Sequence, residues 1–377
     1  MLERGGDRQK ALELLKQVAD ATAETTEDIY IKAKLLQYRG EYLSAVGTVE
    51  RLLRATPRDP EAYFLMGQLH AHHHDNKKAE KALRKAIELN GRDGEYYALL
   101  GLVLGQYKDK APAIPVLKKA AQLSPQLSSP WQTLGWVHQE RGEMAEAIAC
   151  YKKATQIDPR KADGFYSIAN VYWVTRRYKE ADREIEKALV LRPDYKEALI
   201  VASALKQIDG DLSGAEKCAR KAVAVEPIYS GCWERLGTAL MAQRKFKEAA
   251  DSFKQARDRA PSDHNLWCQL GFALNAIGDT QGCDRVFAMA CKGSPHSPSI
   301  LNDYGCVCVL RGDLPKAEEA FLSAAKLSLG DRAAAYLSRA GSLEASRGEY
   351  LLAAESFRRA LVHDPNCAQA HNGFGLC

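Results

Sequence analysis

Four histidines crowd one short stretch, His70, His72, His73 and His74, and a Cys-x-Cys pair stands at Cys306 and Cys308. Both patterns invite a metal reading, because imidazole and thiolate are common ligands. Neither completes a ligand set. His70 occupies an apolar position of a helical pattern, and the other three histidines run into a turn with no cysteine or paired carboxylate nearby. Two residues apart on one helix, Cys306 and Cys308 point to different faces and cannot converge on one ion. No metal site is predicted. None of the ten cysteines forms a CxxC pair, and most lie beside apolar residues in helical segments. There a free thiol behaves as a small hydrophobe, so reduced thiols and a cytoplasmic location are expected.

Nucleotide and hydrolase signatures are missing as well. The sequence holds no GxxxxGK[ST], GxSxG or HExxH, and no GxGxxG after a strand, each of which would build a phosphate cradle, a nucleophile or a zinc site. Strand patterns are absent, so an α/β catalytic domain has no place in the chain. The expectation is a non-enzyme without cofactors. The formal charge is +5 over 377 residues, with acid and base interspersed. A nucleic-acid binder concentrates its basic residues, so no nucleic-acid partner is expected. No apolar run approaches the roughly 18 residues of a membrane helix, and the amino end, Met1 to Asp7, lacks the apolar stretch of a secretory signal. No membrane insertion is expected.

The elements that carry these residues are organised by a repeat. Pro125, Pro159, Pro193, Pro227, Pro261 and Pro295 are each 34 residues apart, Pro57 lies two periods earlier, and Pro365 lies two periods plus two residues later. With this proline as position 32, units start at residues 26, 60, 94, 128, 162, 196, 230, 264, 298 and 334, the last displaced by a two-residue insertion near Gly330-Asp331. Position 4 is large, for example Tyr63, Trp131, Trp233 and Trp267. Position 8 is small, as in Gly67, Gly101, Gly135, Ala169, Ser203 and Gly237. Position 20 is alanine in every unit except for Cys283, position 24 is mostly large (Leu83, Tyr151, Phe253, Phe357), and position 27 is alanine from Ala86 to Ala360.

This pattern, W-x2-L-G-x2-Y…A-x3-F-x2-A…P at period 34, resembles the tetratricopeptide-repeat (TPR) family over nearly the whole chain. The resemblance implies an all-α, right-handed TPR solenoid of about ten helix-turn-helix repeats forming one domain over residues 1–377. The spacing has its own physical reason. Positions 4, 7, 8 and 11 share one face of a first helix, and positions 20, 24 and 27 one face of a second. A small residue at 8 admits the bulky one at 24. Turn signals such as Arg141-Gly142-Glu143 and Arg311-Gly312-Asp313 separate the two helices, and the proline at 32 stops the second. One hairpin cannot bury its apolar face alone, so neighbours must stack. Residues 1–25 supply only a second helix, Arg8 to about Ala21, and residues 368–377 only part of a first. The expectation is a segment of a longer protein, with self-association through uncapped ends as a possibility.

In the TPR family the first helices line a groove that takes partner peptides. The resemblance implies that positions 2, 5, 6, 9, 12 and 13 face it. Trp136, Tyr166 and Trp173 then stand off the core stripe as aromatic anchors, or else pack against neighbouring helices. Asn170, Arg235, Gln269, Asn302 and Arg339 are the polar groove candidates, able to hydrogen-bond an extended backbone. The carboxylate clamp of some TPR cochaperones needs Lys, Asn, Asn, Lys and Arg at set positions. Here they read Tyr166, Asn170, Val201, Gly231 and Arg235, and without converging positive charge the clamp is excluded. Position 6 lacks the asparagine ladder of the O-linked N-acetylglucosamine transferases. A further likeness, Leu301 to Gly305 and Phe357 to Leu361, is to pilus-biogenesis TPR lipoproteins. The expected function is a scaffold or adaptor that binds protein or peptide partners in the groove. The alternatives are a substrate-recruiting arm of a larger glycosyltransferase or sulfotransferase, or a pilus-type assembly factor.

Overall fold

A computed structural model describes residues 25–377; the helix expected from Arg8 to about Ala21 lies outside them. The chain forms two compact units, Met1–Arg192 and Pro193–Cys377. Among the described residues every regular element is a helix. The first unit contains α1 (Thr26–Arg39), α2 (Tyr42–Ala55), α3 (Pro60–His72), α4 (Asn76–Leu89), α5 (Gly94–Gly105), α6 (Ala113–Leu123), α7 (Ser129–Glu140), α8 (Met144–Ile157), α9 (Ala162–Val174) and α10 (Tyr178–Leu191). The second contains α11 (Lys196–Ile208), α12 (Leu212–Val225), α13 (Ser230–Ala242), α14 (Phe246–Arg259), α15 (His264–Ile277), α16 (Thr280–Gly293), α17 (Pro298–Leu310), α18 (Leu314–Lys326), α19 (Gly330–Ser346), α20 (Tyr350–His363) and α21 (Ala368–Phe374). Odd-numbered helices are the first of each hairpin and even-numbered helices the second. The insertion near Gly330 adds a turn to the start of α19 instead of a loop.

The hairpins close through one contact, repeated along the chain. A Cβ added at Gly67 would lie 2.6 Å from Leu83 Cγ, at Gly101 2.4 Å from Leu117 Cγ, at Gly135 2.5 Å from Tyr151, and at Gly271 2.4 Å from Phe287. Where position 8 is glycine there is no room for a side chain, because the residue at 24 sits on it; Ala33 and Ala169 stand opposite the β-branched Val49 and Ile185 instead. The repeat of α11 and α12 solves the same problem in reverse. Ser203 replaces glycine, Ala219 replaces the bulky partner, and the Ser203 hydroxyl donates to the Ala215 carbonyl at 2.8 Å. Position 20 is fully buried in all ten repeats, Cys283 included. Each large residue at 24 removed from water contributes about 1.5–3 kcal/mol, so the interlock adds to the stability of every hairpin that carries one.

In nine of the ten repeats the inter-helix turn depends on one left-handed residue at position 15; Lys108, in the α5–α6 connection, does not adopt it. Gly40, Gly142, Gly210, Gly278, Gly312 and Gly348 adopt it at φ near +80°, and His74, Arg176 and Arg244 adopt it without being glycine. The residue after it often caps the second helix: Asp75, Asp211, Asp279 and Asp313 each accept from the backbone N–H three residues on. This accounts for the histidine cluster. His70 is buried and hydrogen-bonded through Nδ1 to the Tyr42 hydroxyl at 2.8 Å, His73 lies against the Tyr42 ring, and His74 makes the turn. Cys308 is in the core, and half-buried Cys306 lies 3.4 Å from the Arg339 guanidinium. Among the described residues no group of three or more His, Cys, Asp or Glu could hold a metal, and no helix is long and apolar enough to cross a membrane.

Candidate peptide-binding groove

Neighbouring first helices are stitched together by their polar side chains. Gln132 on α7 donates to Ser167 on α9 at 2.7 Å. Gln269 on α15 donates to Glu234 on α13 at 2.9 Å. Arg339 on α19 donates to Asn302 on α17. All three bonds join position 5 of one repeat to position 6 of the next. Lys34 and Gln68 bond at 2.9 Å between two position-9 residues, and Arg235 donates to Gln207. Of the residues proposed to face a peptide, Gln269, Asn302, Arg235 and Arg339 are thus already bonded within the chain.

Two of these bonds leave polar atoms unsatisfied. Arg235 Nε and Gln269 Oε1 are buried without a hydrogen-bond partner. Burial pushes the Arg235 guanidinium below its ordinary range, partly offset by Glu234. Burial likewise raises the carboxyl of Asp303, next to Asn302. Asn170 is half-buried on α9.

The aromatic candidates occupy separate places. The Trp136 ring fills the space over Gly105, where an added Cβ would lie 2.7 Å away, and Lys110 sits 5.8 Å from its ring centre. Trp173 makes an edge contact with Tyr178 at 5.4 Å, across the turn of its own hairpin. Tyr166 is half-buried on α9.

A concave apolar site opens earlier in the first unit. A cleft of about 230 Å³ is lined by Phe64 and Gln68 of α3, Glu95, Ala98, Leu99 and Leu102 of α5, Leu127, and Ser129 and Thr133 of α7. All the helical lining residues occupy positions 2, 5, 6 or 9 of three successive first helices. Phe64 is held from behind by Tyr96, with ring centres 4.8 Å apart, and the Tyr96 hydroxyl is fixed by donation to Glu61. Leu102 is 38% exposed at the rim.

This cleft was readable in principle. Gly94–Gly105 is apolar on every side, and a helix apolar all round must be covered on both faces. Ala98, Leu99 and Leu102 are its surplus, beyond the core stripe of Tyr97, Leu100, Gly101 and Leu104. The aromatic residues two repeats on are a louder but different signal.

Stacking also sorts charge, which corrects the reading of an evenly mixed surface. Helices α3, α5 and α7 carry Glu61, Glu95 and Glu140 and no lysine or arginine. Their partners α4, α6 and α8 carry nine basic and three acidic residues. The first-helix face of these repeats is apolar and weakly acidic, and the second-helix face is basic.

Helical hairpins stacked through a small residue at 8 and a large one at 24, with period 34, define this protein as a tetratricopeptide-repeat solenoid. Residues 8–265 match the cilia and flagella-associated protein 70 C-terminal domain, and the chain belongs to that family. Solved structures share the fold. Yeast Tom70 superposes with a TM-score of 0.51 at 16% identity, covering 97% of this chain and 88% of its own. The human IFIT1 dimer with m7Gppp-AAAA gives a TM-score of 0.50 at 14% identity, covering 93% and 94%. At these identities the likeness concerns the fold alone. No curated protein matches the sequence.

Proposed function

We propose that the chain is a non-catalytic recognition module that docks an extended polypeptide segment and seats one of its apolar side chains between Phe64, Leu99 and Leu102. One observation carries the reading: a cleft with an apolar floor sits on positions 2, 5, 6 and 9 of three adjacent first helices, left open by the chain's own side chains. Clefts of this kind take an apolar anchor with a few polar groups fixing its orientation, and Gln68, Glu95, Ser129 and Thr133 supply those groups here. With Glu61, Glu95 and Glu140 as the only acidic or basic side chains on these helices apart from histidine, the fitting segment is apolar and neutral or cationic. The family is named for a cilia and flagella-associated protein; we place the partner among the proteins of that apparatus, met in the cytoplasm.

Peptides selected from a random displayed library on the wild-type chain test this reading. They are expected to share one large apolar residue and to lose at least tenfold in affinity against Leu102→Glu, measured by fluorescence anisotropy. Because Leu102 lies at the rim, the variant should keep its helicity and melting profile. Peptides that bind the variant as well as the wild type would place the anchor elsewhere.

A further inference from the structure

The geometry points to a second docking surface in the same repeats, distinct from the cleft and suited to an acidic polypeptide. Positions 25 and 26 of three consecutive second helices read Arg84-Lys85 on α4, Lys118-Lys119 on α6 and Lys152-Lys153 on α8. Because the period is 34, each pair falls on the same turn of its helix, and stacking turns three distant dipeptides into one basic stripe across the first unit. All are exposed except Lys85, whose side chain is 41% exposed.

Local carboxylates neutralise only the α4 end of the stripe. Arg84 is engaged by Glu80 and Lys85 by Glu88, both at 2.8 Å. Lys153 lies 4.1 Å over the Trp131 ring. Lys118, Lys119 and Lys152 have no ion pair among the described residues. Four ammonium groups on α6 and α8 therefore stand without a carboxylate, on helices that together hold one acidic residue, Glu146. The four lysines are spread over two helices, so a ligand with several anionic groups along an extended chain engages more of them than a single small anion does.

Two features favour carboxylates over a phosphate backbone. Bidentate phosphate recognition is the work of arginine, and the one arginine of the stripe is already held by Glu80. Single-stranded nucleic acids also need exposed aromatic platforms for their bases, whereas Tyr151 is buried and Lys153 covers the face of Trp131. Lysines on flexible stems suit the irregular spacing of glutamate and aspartate side chains. Attraction of this kind also speeds encounter and is weakened by salt.

The test uses the full chain, a fluorescent 15-residue peptide of glutamate and glycine, and a 15-nucleotide single-stranded DNA, titrated at 50 and 300 mM NaCl. The acidic peptide is expected to bind at low salt, to lose at least tenfold at 300 mM, and to lose at least tenfold with Lys118→Glu, Lys119→Glu, Lys152→Glu and Lys153→Glu combined. The four corresponding Lys→Gln changes, milder for the fold, should weaken binding in the same direction with an unchanged melting profile. Leu102→Glu should leave acidic-peptide binding intact, which separates this surface from the cleft. The proposal is overturned if the peptide fails to bind at low salt, if the Lys→Gln variant binds normally, if Leu102→Glu abolishes binding, or if the DNA binds more tightly than the peptide.

Discussion

Consider adding a single methyl group at Gly101. The new Cβ would lie 2.4 Å from Leu117 Cγ and 2.4 Å from its Cδ2, about 1 Å inside ordinary van der Waals contact. Cγ is the branch point of the side chain, not its free end, and Leu117 is fully buried. Relief requires α5 and α6 to part by about 1 Å, or Leu117 to leave its rotamer at roughly 0.5–1.5 kcal/mol. Adding the packing lost around it, Gly101→Ala should cost about 2 kcal/mol, inside the range for overpacked cores. Leu117→Ala alone should cost about 2–5 kcal/mol through its cavity. The double variant reproduces the small-on-small arrangement of Ser203 and Ala219, so its cost should fall short of the sum by at least 1 kcal/mol. Urea unfolding followed by circular dichroism measures all three. Hydrogen exchange should show the loss centred on residues 94–123, because repeats interact only with their neighbours. An additive double variant, or a Gly101→Ala chain as stable as wild type, would refute the interlock.

Three further outcomes follow from the same structure. Glu344 is buried at a core position, accepts from Ser356 at 3.1 Å through one oxygen and has no partner for the other; burial raises its carboxyl above the ordinary range. The fold therefore holds this proton more tightly than the unfolded chain, and that stability, full below the ordinary carboxylate value, is lost as pH rises through the folded value. Glu344→Gln should flatten thermal melts between pH 4 and 8 and add about 1 kcal/mol at neutral pH. Glu216 behaves oppositely: Lys245, with Arg220 and Gln243, lowers its carboxyl to about 2. Its contribution is full above the ordinary carboxylate value and fades as pH falls toward 2, so a Glu216→Gln deficit measured by urea unfolding at pH 7 should vanish in acid. Arg176 and Arg244 hold left-handed φ of 59° and 60° with side chains that disfavour it; replacing each by glycine should raise unfolding free energy by about 0.5–1 kcal/mol, read as a higher urea midpoint.

The repeat is legible without coordinates. Positions 8, 20, 24 and 27 are legible because helix periodicity is local: once a segment is helical, residues four and seven apart share a face whatever lies beyond it. That arithmetic, with the repeat, puts a small residue such as Gly101 at 8 and a bulky one such as Leu117 at 24 on facing stripes; the substitution of Ser203 and Ala219 for such a pair is seen in the structure. Position 15 was half legible, since a glycine announces a left-handed turn while His74, Arg176 and Arg244 hide one.

The partners of the exposed residues are set by contacts between repeats. Whether Gln132 meets a peptide or Ser167, and whether Asn302 meets one or Arg339, depends on the reach of one hairpin toward the next, which no single helix encodes. The cleft at Phe64, Leu99 and Leu102 and the lysine stripe of α4, α6 and α8 arise in the same way. Each is assembled from residues some 34 apart in sequence, and only stacking brings them onto one surface.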